Sequence, residues 1–400
     1  MIAAIIEARP PAARRRLWIA VITAMLMLMP VARAISIILP REGGSVSDFD
    51  VFHMAAQAIL AGNLARAYDF AWFNDFQRQL FGHDFDIPWS YPPPFALVVA
   101  PLGLMARGWA YLLFMQVTLL AYLVTLQRLA GDRLQAALLL LFVPIIAVVI
   151  WGQNGLLTGT LAGLTCLGLA NQRRWAGVPL GLMIIKPHLA LGFAVYVVAR
   201  RDWRTFWTAG AVAVGMAMLS ALVFGVAAWQ AFFTAAAFAS AKLSTGFFPF
   251  YRMVSSYAAV RSLGAPASAA MLAQAVTAIV AIAAIIAAGR RLPVRQSVGI
   301  TAIASMMISP YAFDYDLLGM GAGIALLLPD LVRLGRPWER SLAYAGMMFA
   351  GSYGLVVRSI IGVPAVPVEQ LPPGLGVIGV VACLGLSWRM LGRGRGEVAR

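Results

Sequence analysis

Long apolar segments separated by short polar breaks run through this 400-residue chain. Hydrophobic residues make up 61% of it and charged residues 12%, and the mean hydropathy is +0.82, which is too apolar for a soluble globular protein. A backbone inside a bilayer must satisfy its own hydrogen bonds, and uninterrupted apolar runs do so as helices rather than as barrel strands. The sequence therefore predicts an all-α polytopic membrane protein.

Arginine clusters recur between the apolar segments, and the net charge is +15. Such dispersed clusters are typical of cytoplasmic loops that contact anionic lipid headgroups, and they do not favour nucleic-acid binding. If every cluster is cytoplasmic, the chain forms hairpins with about twelve crossings and both termini inside. The clusters lie at residues 14–16, 128–133, 173–174, 200–204, 290–295, 333–340 and 389–400.

The longest polar stretch, residues 40–93, follows a first span at residues 17–39 and is too long for a simple connector. Nearly half of the acidic residues of the chain fall within it. Helical spacing predicts one helix that starts near Val51 and ends at Gly62, and a second helix over residues 68–81. Both are expected to lie on the membrane surface with their aromatic sides towards the lipid.

A second large external loop is predicted at residues 228–267, and a short piece at 95–105 is expected to enter the membrane without crossing it. The whole chain, residues 1–400, is expected to form a single membrane domain. The hairpin topology also predicts that further polar breaks, at residues 151–154, 186–188 and 309–316, face outward together with a last loop at 363–373.

All these breaks fall on the same side as the 40–93 loop, and ionisable groups at membrane depth usually face a cavity or a partner. Their polar residues are Asp48, Asp50, His53, Tyr91, Gln153, Asn154, Lys186, His188, Lys242, Arg252, Tyr257, Tyr311, Asp314 and Asp316. The set mixes carboxylates with cations. Sugar transfer from a phosphate leaving group needs both, because a base deprotonates the acceptor hydroxyl while positive groups hold the phosphate.

In this interpretation Asp48 or Asp50 supplies the base. The groups assigned to the donor and its phosphate are Lys186, His188, Arg252, Gln153 and Asn154, and the other pocket residues are Asp50, His53, Tyr91, Tyr257, Tyr311 and Asp314. Several of these residues also have purely structural interpretations.

Asp48 could cap a helix that begins near Phe49, since Asp is a favoured N-cap residue. Lys186 could extend to a lipid headgroup. The break at residues 152–154 could be a tight turn between two helices, and Asp314 with Asp316 could pair with arginines for structure alone.

Metal binding has a weak signal in two Asp-x-Asp pairs, Asp48 with Asp50 and Asp314 with Asp316, whose oxygens suit Mg²⁺ or Mn²⁺. A metal-independent site without a cofactor is favoured. No Walker loop, dinucleotide fingerprint or HExxH motif occurs. Both cysteines, Cys166 and Cys383, lie inside apolar spans, so neither a disulfide framework nor a cysteine metal site is expected.

A series of short motifs adds a family resemblance. They are residues 48–52 with Ala55, Ala56 and Gly62; residues 91–93 with Pro101 and Leu102; residues 152–154; residues 176–178 with Gly181; Lys186 with Pro187; and Ser309 and Pro310 with Asp314. In their order and spacing they resemble glycosyltransferase family 87, which includes polyprenyl-phosphate-mannose-dependent α-(1,2)-mannosyltransferases.

The resemblance implies a GT-C-like fold, a polyprenyl-phosphate-linked sugar donor, a lipid or glycan acceptor, and a site on the external face of the cytoplasmic membrane. It also implies that Asp48 is the general base and that Lys186 contacts the donor phosphate. Where better-known members carry histidines after the late aspartate, this chain has Tyr315 and Asp316 after Asp314.

A secondary transporter or lipid flippase is the alternative, because transporters also build sites from broken helices at membrane depth. No inverted repeat between the two halves supports it. A third possibility is a lipid-sugar-binding scaffold that keeps the fold without the activity.

Overall fold

The structure, a computed structural model, describes residues 1–8, 10–39, 47–82, 87–361 and 372–398. Within these ranges the chain is helical and contains no strand, which confirms the all-α class. The helices are α1 (Ile2–Ile6), α2 (Ala12–Ile38), α3 (Asp48–Leu60), α4 (Leu64–Ala67), α5 (Phe70–Phe81), α6 (Pro93–Val99), α7 (Arg107–Ala130), α8 (Leu134–Trp151), α9 (Gly155–Ala170), α10 (Gly177–Leu182), α11 (Leu191–Ala199), α12 (Trp203–Phe224), α13 (Val226–Ser244), α14 (Ser256–Ser262), α15 (Ala267–Arg291), α16 (Val294–Ser305), α17 (Leu317–Leu334), α18 (Pro337–Ile361) and α19 (Gly376–Val398).

Six helical stretches in these ranges are long and apolar enough to cross a membrane. They are Ala12–Ile38, Arg107–Trp151, Trp203–Phe224, Ala267–Arg291, Asp314–Leu334 and Gly376–Gly394. This finding confirms a polytopic membrane protein, whereas the count of about twelve crossings stays a prediction. Shorter apolar helices alternate with these spans, and two of them, Arg174–Ile185 and Pro187–Ala199, meet at Lys186.

Helix α17 lies at the centre of the bundle, where it packs against α7, α8, α9 and α16. Small residues permit the close approach: a Cβ on Gly159 of α9 would lie 2.7 Å from the Cβ of Leu318. Helix α12 is the opposite case, because only Thr205 and Ser220 are buried along its length. It packs against α10 and α6 on one side, and the exposed apolar side chains on its other side are suited to face lipid.

The helix expected near Val51 exists as α3, but its predicted place on the membrane surface is wrong. Most of its side chains are buried within the protein, including polar Asp50 and His53. The rings of Phe49 and Phe52 pack edge-on against Tyr111 and Phe95 of neighbouring helices. Because rings of neighbouring helices cover its apolar side chains, α3 belongs to the core of the protein rather than to a lipid interface.

Helix α5 confirms the second predicted helix and buries only Phe73 and Gln77. Helices α13 and α14 occupy most of the expected external loop at 228–267, whose external position stays a prediction. The short piece at 95–105 forms α6 followed by a 3-10 turn, Ala100–Leu104, and packs against α3. Most of the predicted loop at 363–373, and parts of the 40–93 stretch, lie outside the described residues.

Candidate active site

Asp48 is the first residue of α3, and it does not cap that helix. Ser47 is the N-cap residue, and its backbone N–H donates a 2.6 Å hydrogen bond to the Asp50 carboxylate three positions further on. The Ser47 hydroxyl donates to the same oxygen over 3.1 Å. This reciprocal arrangement is a capping box, so the capping role belongs to Asp50 and leaves the Asp48 side chain free for other contacts.

The turn after α8 brings Gln153 to Asp48. Gly152 adopts a φ of +69° and lies against α3, where a Cβ on it would be 2.5 Å from the Cβ of Phe49. Gln153 Nε2 donates to Asp48 Oδ2 over 3.0 Å, and Gln153 Oε1 accepts from the Tyr91 hydroxyl over 3.0 Å. Burial raises the pKa of Tyr91, so the phenol stays protonated and fixes the Gln153 amide with its nitrogen towards Asp48.

Arg252 joins Asp48 to a second carboxylate. It lies in the 3-10 turn Phe250–Arg252, which is held beside residues 312–314 by a backbone hydrogen bond from Val254 to Ala312 over 2.8 Å. The guanidinium reaches Asp48 Oδ2 over 3.6 Å and Asp314 Oδ1 over 3.5 Å. Burial lowers the pKa of Arg252, but these carboxylates outweigh it and raise the net pKa, so Arg252 is a permanent cation.

Lys186 forms a separate ion pair with Asp316, at 2.5 Å. It stands at the break between two 3-10 turns, where Pro187 prevents the helix from continuing. Both cations of the site contact one ring: Lys186 Nζ lies 4.5 Å, and the Arg252 guanidinium carbon 5.4 Å, from the Tyr315 centroid. Tyr315 therefore links the Lys186–Asp316 pair to the Asp48 cluster, which comprises Asp48, Gln153, Arg252 and Asp314.

Exposure distinguishes Asp48 from the other carboxylates of the site. Its side chain is 16% exposed, whereas those of Asp314 and Asp316 are 2% and 0% exposed. The contacts of Asp48 with Gln153 and Arg252 both fall on Oδ2, and among the described residues Oδ1 has no hydrogen bond or ion pair. Asp48 is thus a fixed and accessible carboxylate with one oxygen available to a ligand.

Two further predicted residues adjoin these contacts. The Asn154 side chain is completely buried, and in the described part of the chain neither of its polar atoms has a hydrogen-bond partner. The Nε2 atom of His188, two residues after Lys186, also lacks a partner there. Buried polar groups of this kind are suited to a bound molecule or water.

The structure does not bring four predicted pocket residues into these contacts. Asp50 caps α3 and faces Arg107 at 3.4 Å. His53 bonds through Nε2 to the Met105 carbonyl at 2.9 Å. Tyr257 donates to the Leu243 carbonyl over 3.2 Å, and Tyr311 packs edge-on against Phe248.

Sequence reasoning missed Trp151, Tyr315 and the partnership of Asp316 with Lys186. The Arg252 guanidinium carbon lies 3.8 Å from the Trp151 centroid, a close cation–π contact. The signal was present, because Trp151 and Tyr315 lie inside the polar breaks at 151–154 and 309–316. Only polar and charged residues of those breaks, with Tyr311, were selected.

The carboxylates of the two Asp-x-Asp pairs do not converge on a common position for a metal ion. Asp50 faces Ser47 and Arg107, while Asp48, Asp314 and Asp316 face Arg252 or Lys186. No group of three His, Cys, Asp or Glu residues in the described ranges is placed to hold a metal ion. Independence from metal stays a prediction.

Comparison with known proteins gives one match. The model of glycosyltransferase family 87 covers residues 89–310, more than half of the chain. This range holds Tyr91, Gln153, Lys186 and Arg252 but excludes Asp48 and the Asp314 motif. No curated protein and no solved structure matches the chain significantly. The chain therefore belongs to glycosyltransferase family 87 and is a membrane glycosyltransferase.

Proposed function

We propose that the protein transfers a mannose-like hexose from a polyprenyl-phosphate-linked donor to a lipid or glycan acceptor. We place the reaction on the external, periplasmic face of the cytoplasmic membrane. The single observation that carries the proposal is Asp48, a carboxylate oriented by Gln153 and Arg252 through Oδ2, with Oδ1 available. The arrangement suits a general base, and family membership favours transfer over transport by a transporter or flippase.

In the proposed reaction, Oδ1 of Asp48 accepts the proton of the acceptor hydroxyl as that oxygen bonds to the anomeric carbon of the sugar. The bond from that carbon to the phosphate oxygen breaks, and the polyprenyl phosphate leaves with the bonding electrons. A positioned base contributes about 10²–10⁴-fold to such a step. One base is sufficient for an inverting displacement, and Asp48 is the most exposed of the three carboxylates, which favours it over Asp314 and Asp316.

Polar groups around Asp48 have matching roles in the proposal. Arg252 offsets one of the two negative charges of Asp48 and Asp314, while Asn154 and His188 offer unpartnered polar atoms to the donor. Lys186 and Arg252 are each already paired with carboxylates, so they would meet a phosphate only as members of neutral or anionic pairs. Membrane lipids surround the apolar faces, and nucleic acid has no part.

The test is transfer of radiolabelled sugar from a set of short-chain polyprenyl-phosphate donors into lipid and glycan extracts. Wild type is compared with Asp48→Asn at equal amounts of folded protein. The matched control is Asp75→Asn, which removes an exposed carboxylate of α5 that pairs with Arg78. Transfer by wild type and the control, with a loss of at least about 10²-fold in Asp48→Asn, is expected. Equal transfer by all three proteins would refute Asp48 as the base, and no transfer from any donor would refute the reaction.

A further inference from the structure

The proposed site has more carboxylates than cations, so its net charge does not favour the binding of an anion. Asp48, Asp314 and Asp316 contribute three carboxylates, and Lys186 with Arg252 contributes two cations, each of which faces a carboxylate. A phosphate brought to these groups alone would meet no unpaired positive charge. Binding of a lipid phosphate at this site therefore requires a cation that carboxylates have not already neutralised.

Arg358 is such a cation. It lies near the end of α18 and is half-buried, and among the described residues it has no carboxylate partner. Its guanidinium carbon lies 5.7 Å from the centroid of the Trp151 ring, the ring that Arg252 also covers at 3.8 Å. Arg358 is thus next to the Asp48 cluster without being part of its ion pairs.

The packing of α18 explains this placement. Gly354 lies one helical turn before Arg358, and a Cβ there would collide with the Asp314 carboxylate and come within 3.4 Å of the Arg252 Cα. A glycine at this position lets α18 approach the site closely enough for the next turn to reach Trp151. Two other cations without a carboxylate partner in the described ranges contact different rings, Arg66 on Trp72 and Lys242 on Phe238 and Phe247, and neither shares a ring with Arg252.

We propose that Arg358 binds the phosphate group of the lipid-linked donor, between the Trp151 ring and the Asp48 cluster. The inference rests on the proposed function and adds a residue that sequence analysis did not select. A guanidinium binds phosphate through two parallel N–H donors, and the Trp151 face restricts its orientation while leaving those donors at its edge. With Arg358 the site has three cations for three carboxylates, and Arg358 is the cation of this set that no carboxylate in the described ranges contacts.

The experiment measures binding rather than turnover, so that it does not depend on transfer. Purified protein in nanodiscs of zwitterionic phosphatidylcholine is titrated with farnesyl phosphate and with uncharged farnesol. Zwitterionic lipid removes the bulk anionic headgroups that an interfacial arginine would otherwise contact. The variants are Arg358→Met and Arg358→Lys, and the matched control is Arg66→Met, which removes an arginine that also rests on a tryptophan.

Wild type and Arg66→Met are expected to bind farnesyl phosphate more tightly than farnesol. Arg358→Met is expected to lose at least about tenfold in affinity for farnesyl phosphate, with farnesol binding unchanged, because a hydrogen bond to a charged group is lost. Arg358→Lys should bind farnesyl phosphate with an affinity between those of wild type and Arg358→Met, since it keeps the positive charge and loses the two parallel N–H donors of the guanidinium.

An unchanged preference for farnesyl phosphate in Arg358→Met and Arg358→Lys would overturn the assignment, as would an equal loss in Arg66→Met. The absence of any preference in wild type would overturn it too. If the preference depends on Arg358 and no donor supports transfer, the proposed reaction fails while the phosphate site stands. If Asp48→Asn abolishes transfer and the Arg358 variants keep the preference for farnesyl phosphate, the proposed reaction stands while the phosphate site at Arg358 fails.

Discussion

Gln153 donates a 3.0 Å hydrogen bond from Nε2 to Oδ2 of Asp48, across 105 residues of sequence. The Tyr91 hydroxyl donates to the amide oxygen over 3.0 Å, and this contact keeps the amide nitrogen towards Asp48. A chain of three side chains therefore sets the direction of the proposed base. It leaves Oδ1 as the oxygen that can receive a proton.

Gln153→Leu is expected to lower kcat for sugar transfer by about 10-fold or more with a smaller change in donor KM, because Asp48 loses the donor that orients it. Gln153 does not touch the reacting atoms in this scheme, so it is a positioning residue. Steady-state transfer assays give both constants. Tyr91→Phe, which removes only the hydroxyl that fixes Gln153, should have a weaker effect in the same direction. A Gln153→Leu enzyme with wild-type kcat would contradict the role.

Arg252→Met is expected to destabilise the protein by about 3–5 kcal/mol, because it leaves Asp314 as a buried carboxylate without its cation. Thermal unfolding in detergent measures the loss. The double variant Arg252→Met with Asp314→Asn should recover part of the stability, since the uncompensated charge is then gone. A double variant as unstable as the sum of the two single variants would argue against this pairing.

Lys186 and Asp316 permit a test of whether the ion pair is structural or functional. Lys186→Met should destabilise the protein because Asp316 loses its only cation in the described structure, and Lys186→Met with Asp316→Asn should restore much of the stability. If Lys186 also contacts the donor, as the family resemblance implies, the stable double variant will still show a raised donor KM. A double variant with wild-type stability and wild-type KM would leave Lys186 a purely structural role.

The pH dependence of stability should report on Asp50. Burial raises the pKa of this carboxyl, although hydrogen bonds from Ser47 and the charge of Arg107 act to lower it. A folded-state pKa above the unfolded value means that the fold binds the proton more tightly. The stability from Asp50 is therefore complete below its unfolded pKa of about 3.9 and is lost as the pH rises through the raised pKa.

Asp50→Asn keeps an oxygen that can accept the Ser47 N–H bond and removes the titration. Unfolding temperatures measured from acidic to neutral pH should consequently fall more in wild type than in Asp50→Asn. Ser47→Ala serves as the control, because it retains the carboxyl and loses a hydrogen bond that lowers the pKa of Asp50, so its unfolding temperature should fall at least as much as that of wild type. Parallel curves for wild type and Asp50→Asn would show that Asp50 does not contribute to the pH dependence.

Helix α3 shows where local patterns mislead. Its apolar spacing predicted a helix correctly, yet the surface position assigned to it was wrong because neighbouring aromatic rings from α6 and α7 cover it. The capping role that the sequence allowed for Asp48 belongs to Ser47 and its partner Asp50. Aspartates at positions 48 and 50 both suit a helix start, and only the fold shows that Asp50 turns back to Ser47 while Asp48 turns to Gln153.

The sequence by itself determined the all-α membrane class, the helical character of the long apolar runs, and the grouping of the polar breaks that hold Asp48, Gln153, Lys186, Arg252 and Asp314. Hydropathy and helix signals depend on residues close together in the chain, so the sequence alone contains them. Only the tertiary structure decided which cation meets which carboxylate. The Lys186–Asp316 pair joins residues 130 positions apart, and Arg358 reaches the same region from α18. Such pairings depend on how the helices pack, and the local periodicity of the sequence does not predict which distant residues come into contact.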